Sequence, residues 1–114
     1  MSPVTIIAHD TSRQAQRRPF DFRIKLVIGK RGHEQVVHGR SHDLSYGGLG
    51  ATLTSEVPAG TVAEIRFALP NVGREFRFPA RLVHRSGFRC GLRFSALSPD
   101  QRFLIQRICL ALPR

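Results

Sequence analysis

Apolar and polar residues alternate with period two over most of this chain. Phe20, Phe22, Ile24, Leu26 and Ile28 alternate with Asp21, Arg23, Lys25 and Val27, the pattern of a half-buried strand. Gly29 to Gly32 predicts a turn, and His33 to Asp43 a second, more polar strand. After Gly47 and Gly48 the alternation resumes at Leu49, Ala51 and Leu53, and Pro58 to Gly60 turns the chain again. Ile65, Phe67 and Leu69 form one apolar row; Phe76, Phe78, Ala80 and Leu82 form the next, with Pro79 predicting an edge or a bulge. Phe88, Cys90, Leu92 and Phe94 make the last row. These rows predict six short strands with short turns, a mainly β chain folded as a small antiparallel barrel.

The period changes at Ser98. Ser98 as N-cap, Pro99 in the first turn and Gln101 completing a capping box predict a helix. Leu104, Ile105, Ile108, Cys109 and Leu112 fall on its apolar face and Pro113 ends it. Residues 1–19 are polar and basic without a sustained period and predict a flexible N-terminal arm; residues 20–114 form the barrel and its helix.

A chain of 114 residues holds one small domain. Its apolar fraction of 41% fits a folded chain and excludes global disorder. The formal net charge of +10 adds a preference for an anionic partner. Sixteen of the eighteen basic residues are Arg, whose planar fork suits phosphate oxygens and the guanine edge. Cys90 and Cys109 predict two buried thiols in a reducing cytosol, since two cysteines alone make neither a disulfide framework nor a zinc site. The first ten residues lack a signal-peptide pattern, and no apolar run could span a bilayer, so the expected location is cytoplasmic.

Two segments carry candidate chemistry. Arg13, Arg17 and Arg18 lie in the arm, where guanidinium groups can close on an anion. Asp43-Leu-Ser45-Tyr-Gly47-Gly48 sets a carboxylate and a hydroxyl two apart, on one face of an extended chain. A carboxylate there can accept from N1 and N2 of a guanine, Ser45 can add one bond, and the glycines remove Cβ atoms where a ligand approaches. Each segment alone has an ordinary alternative, a solvated basic tail and a strand-end turn. The histidine pair His38 and His42 has no helical metal-ligand spacing. His42, Asp43 and Ser45 do not make a triad, because alternation sends His42 to the opposite face and no oxyanion hole is apparent. No metal site and no enzyme activity are expected.

Taken together and in order, R-x-x-x-R at Arg13/Arg17 and D-x-S-x-x-G at Asp43–Gly48, separated by 25 residues, resemble the PilZ domain signature. Ala80-Arg-Leu-Val-His84-Arg, Gly91-Leu-Arg-Phe94 and the C-terminal helix extend the resemblance over residues 12–112. It implies a six-stranded PilZ-like barrel that binds cyclic di-GMP and needs no cofactor. Arg13 and Arg17 would contact phosphates and guanine edges, with Arg18 as an extra basic residue. Asp43 and Ser45 would read a guanine, and Gly47 and Gly48 would leave room. His84 falls where relatives place a flat side chain that stacks on the base, although alternation puts it on the apolar face with Leu82. Ser12, before the first Arg, is neither long and basic nor bulky and apolar, which leaves one or two ligands per chain open. The resemblance further implies relay to a downstream protein partner in motility, exopolysaccharide or biofilm control. The alternatives are a basic barrel that binds single-stranded nucleic acid, against which most aromatics face inward, and a protein-interaction module of the same fold without ligand.

Overall fold

A computed structural model describes residues 17–70 and 72–113. Its elements are β1 (Arg18–Pro19), β2 (Arg23–Ile28), β3 (Gln35–Leu44), β4 (Gly48–Leu53), β5 (Val62–Ala68), β6 (Glu75–Ser86), β7 (Arg89–Phe94) and helix α1 (Pro99–Ala111). The strand order is β1-β3-β2-β5-β6-β7-β4, and β4 pairs back onto β3. Six antiparallel strands, β2 to β7, therefore close into a barrel, which leaves no long edge to be protected. The two residues of β1 pair with the far end of β3, alongside β2 rather than as a separate wall.

The inward residues are the apolar rows of the sequence. Ile24, Leu26, Ile65, Phe67, Phe78, Leu82 and Leu92 are all buried. Phe20 packs edge-on against Phe67 at 5.2 Å, and Phe78 meets Phe94 at 5.7 Å, geometries that suit the ring quadrupoles. Helix α1 closes the core with Ile105, Ile108 and Cys109. Its N-terminus has the expected reciprocal box: Gln101 N donates to Ser98 Oγ at 3.1 Å, and Ser98 N donates to Gln101 Oε1 at 2.9 Å.

Regular pairing begins at Arg18, two residues before the pattern placed it, and the first apolar row is not one continuous strand. Between β1 and β2 the regular ladder is interrupted, although Phe20 N still donates to His42 O and Ser41 N to Phe22 O, both at 2.9 Å, and the buried Ser41 hydroxyl bridges the two phenylalanines. It donates to Phe20 O at 2.6 Å and accepts from Phe22 N at 3.1 Å. Pro79 sits at a local edge: β7 pairs only as far as Ala80↔Phe94, so the missing Pro79 donor lies just beyond the paired run. The bulge in β6 comes later, between Leu82 and His84. Phe88, expected inward, is 52% exposed because it occupies the β6–β7 turn.

Candidate ligand site

Two register shifts decide which side chains reach the outer surface. In β3 the shift lies between Ser41 and Asp43. Ser41 is fully buried, so strict alternation would bury Asp43 as well; the extra residue, His42, sends Asp43 outward and keeps Leu44 in the core. His42 Nε2 lies 2.6 Å from Thr52 Oγ1. In β6 the extra residue is Val83. It does for His84 what His42 does for Asp43, so His84 is exposed and not in the row of Leu82 as alternation predicted.

Between these two bulges run β4 and β7. Asp43 pairs with Gly50, Gly50 with Gly91, and Gly91 with His84. Paired residues share a face, so one row crosses four strands as carboxylate, bare backbone, bare backbone, imidazole. Three strand spacings separate its ends, about 14 Å. The side chains at both ends lean inward. A Cβ on Gly50 would sit 3.3 Å from Asp43 Oδ2, and a Cβ on Gly91 would collide with the His84 ring. The result is a groove whose floor is glycine backbone, with the His84 ring resting on Gly91 and the Asp43 carboxylate beside Gly50. One part, about 490 Å³, is lined by Arg17, Ser45, Gly47, Gly48, His84 and Arg93 among others. An adjoining part, about 400 Å³, adds Asp43, Gly50, Ser86 and Arg89.

Arg17 joins the two motif halves. Its Nη1 donates to Asp43 Oδ1 at 2.7 Å, with both side chains partly in solvent. Arg18 goes elsewhere. It pairs opposite Leu44, and its Nη1 donates to Cys109 O at 2.6 Å and to Leu112 O at 3.4 Å. A cation there caps the C-terminal carbonyls of α1 and does not face the groove. Arg13 and Ser12 lie outside the described residues.

Ser45 is buried and closes a tight turn. Its N donates to Gly48 O at 2.9 Å, and its Oγ accepts from Gly47 N at 3.3 Å. The two neighbouring glycines differ in role. Nothing lies within 4 Å of a Cβ on Gly47, which borders the groove, whereas a Cβ on Gly48 would collide with the Leu92 carbonyl oxygen. Gly48 therefore makes room for β7, where the sequence expected room for a ligand.

Gly50, Gly91 and Arg93 line the groove; Gly91 and Arg93 fall in the Gly91–Phe94 stretch that extends the resemblance, but none of the three is expected from sequence as a site residue. The signal for the glycines was present: glycine inside an alternating strand marks a close approach. The thiols of Cys90 and Cys109 are both buried, and burial pushes each up to about 11. Both are protonated at neutral pH and offer no nucleophile.

The PilZ domain family model matches residues 11–111. Among solved structures, the PilZ domain of CeSA from a cellulose-synthesizing bacterium is 25% identical, with a TM-score of 0.66, over 82% of this chain and 94% of that one. The PilZ domain of YcgR from Escherichia coli with c-di-GMP is 25% identical, TM-score 0.65, over 84% of this chain and 87% of that one. YcgR from Escherichia coli in complex with c-di-GMP is 28% identical, TM-score 0.67, over 83% of this chain; the match spans 43% of YcgR. No curated protein matches the chain.

Proposed function

The chain belongs to the PilZ domain family, and from that premise we propose that it is a cytoplasmic receptor for cyclic di-GMP, with the glycine-floored groove as its site. The observation that carries the proposal is the row Asp43–Gly50–Gly91–His84 with Arg17 at its acidic end. Once the exposed His84 ring swings off Gly91, a flat purine can lie on bare backbone where a Cβ would obstruct it. Asp43 then accepts from N1 and N2 of a guanine, which an adenine cannot match. His84 offers a ring face at the far end for stacking. Arg17 turns from Asp43 toward the nearest phosphate or the guanine O6 and N7, and Arg13 adds a second guanidinium from the arm. Ser45 shapes the turn that presents Gly47 and itself lines the groove. The protein acts as a receptor and not as a catalyst: closure of the arm on the ligand changes the surface that a downstream protein partner reads.

Calorimetric titration tests this. Cyclic di-GMP should bind saturably, with cyclic di-AMP and GTP at least tenfold weaker, and Arg13→Ala/Arg17→Ala should abolish binding. The titration also yields the number of ligands per chain. Equal binding of cyclic di-AMP would remove Asp43 as the guanine reader. A steep loss of affinity with salt for an oligonucleotide, without binding of cyclic di-GMP, would favour the nucleic-acid alternative.

A further inference from the structure

The two most exposed large apolar side chains among the described residues are on the same helix. Phe103 is 60% and Leu110 65% exposed. They are seven residues apart, two helical turns, so they share one face and stand about 10 Å apart along it. That face points away from Ile105, Ile108 and Cys109, which bind α1 to the barrel. Arg107 lies between them, with its guanidinium 5.7 Å from the Phe103 ring centroid.

The helix does not need this face in order to form or to stay in place. The capping box fixes its start, Arg18 holds its last carbonyls, and three buried residues seat its inner side. Apolar residues at i and i+7 on one face are a spacing by which a helix anchors in an apolar groove of another protein. The charges define that groove. Arg102 and Arg107 flank the face, and Asp100 is the single acidic residue of α1. A second copy would set arginines against arginines, in chains that each carry a net charge of +10.

We propose that the outer face of α1, with Phe103, Arg107 and Leu110 as its anchors, docks a protein partner whose groove has an apolar floor and a rim of carboxylates. Two connections tie this face to the ligand groove. Arg17 and Arg18 are consecutive residues that reach opposite ways, one to Asp43 and the other to the C-terminal carbonyls of α1. On the other flank, Arg102 and Gln106 line a cleft with Tyr46 and Gly47, and Gly47 also borders the ligand groove. A movement of Arg17 toward ligand therefore acts on the seating of α1 through its neighbour. That coupling rests on the cyclic di-GMP reading; the docking face does not.

The test places a photo-crosslinking benzoylphenylalanine at Phe103 of the full chain, in its native host, and identifies the adduct by mass spectrometry. The expected result is one recurrent protein adduct at a peptide containing Asp or Glu. Its yield should fall at least tenfold with Arg107→Glu and recover when that carboxylate of the partner is changed to Lys. An adduct to a second copy, an adduct to residues 1–16 of the same chain, no adduct, or one indifferent to Arg107→Glu would each overturn the proposal. For the coupling, saturating cyclic di-GMP should change adduct yield at least threefold in the wild type and not in Arg18→Ala; an equal yield with and without ligand would refute it. Calorimetry on Arg107→Glu separates the two readings, since ligand affinity should stay within twofold of wild type whatever happens to the adduct.

Discussion

Gly48 and Gly91 border the same groove and should fail in opposite ways when replaced by Ala. At Gly48 the new methyl meets the Leu92 carbonyl oxygen, which is backbone and cannot rotate away. The β4–β7 ladder must open around the Gly48↔Arg93 pair, next to Leu49↔Leu92, whose side chains are both buried. Losing one or two ladder hydrogen bonds, about 1 kcal/mol each, and loosening two leucines costs roughly 3–5 kcal/mol. That is a large part of the roughly 5–15 kcal/mol that holds a domain together. At about 4–5 °C per kcal/mol, the melting temperature should drop by roughly 12–25 °C. At Gly91 the three atoms nearest the methyl all belong to the exposed His84 ring, which can swing off. Ala also relieves a glycine strand of about 0.5–1 kcal/mol, so stability should stay within about 1 kcal/mol of wild type. Its methyl then stands on the floor of the groove, and affinity for cyclic di-GMP should fall at least tenfold. Thermal unfolding by circular dichroism and calorimetric titration of both variants decide it. A Gly48→Ala protein that melts like wild type but fails to bind would show that Gly48 serves the ligand and not the close approach of β7.

Three further outcomes are expected. Asp43→Asn should alter stability by less than about 1 kcal/mol, because its pair with Arg17 is partly solvated, yet weaken cyclic di-GMP roughly 10- to 100-fold by loss of charge-assisted bonds; titration showing unchanged affinity would remove it from the site. Arg18→Ala should cost about 1–2 kcal/mol in thermal unfolding by uncapping α1, while ligand affinity stays within threefold, in contrast to Arg17→Ala. Burial raises both thiols from 9.0 to about 11, so their contribution to stability is complete below the unfolded value and is lost as pH rises through 11. Melting temperature should therefore fall between about pH 9 and pH 11, and less steeply in Cys90→Ala/Cys109→Ala.

The barrel was legible because its determinants are local and repetitive. Each strand carries its own alternation, and the α1 segment carries both its capping box and its apolar face within the fifteen consecutive residues Ser98–Leu112. Arg18 was not legible, because its partners are the carbonyls of Cys109 and Leu112 at the far end of the chain. The R-x-x-x-R spacing marks Arg17 and leaves Arg18 as an extra, but nothing near Arg18 in sequence points to α1; its direction depends on which side of β1 faces the helix. Phe88 was misplaced for a related reason. It continues the apolar row of Cys90, Leu92 and Phe94 on paper, but the turn takes precedence over the period at the end of a strand.

The site shows the same limit more sharply, since its outward side chains depend on breaks in the pattern that predicts the strands. Extending the buried rows without interruption puts Asp43 in the core after Ser41, and His84 in the core after Leu82. An unpaired carboxylate in that position would be too costly to keep. The chain inserts one residue at each place, His42 and Val83. On β3 the buried row resumes at Leu44; on β6 the residues after the bulge, His84 to Ser86, are all exposed, while Cys90 and Leu92 on β7 still meet the barrel interior. Two one-residue insertions, on strands that lie either side of the glycine-bearing pair β4 and β7, therefore turn a stretch of ordinary barrel wall into a groove with a chemical group at each end. The core tolerates them because a bulge shifts the facing of one strand locally and leaves the rest of the ladder paired. A sequence pattern read for regularity passes over such positions, whereas a polar residue that falls on a buried row beside in-strand glycines marks them.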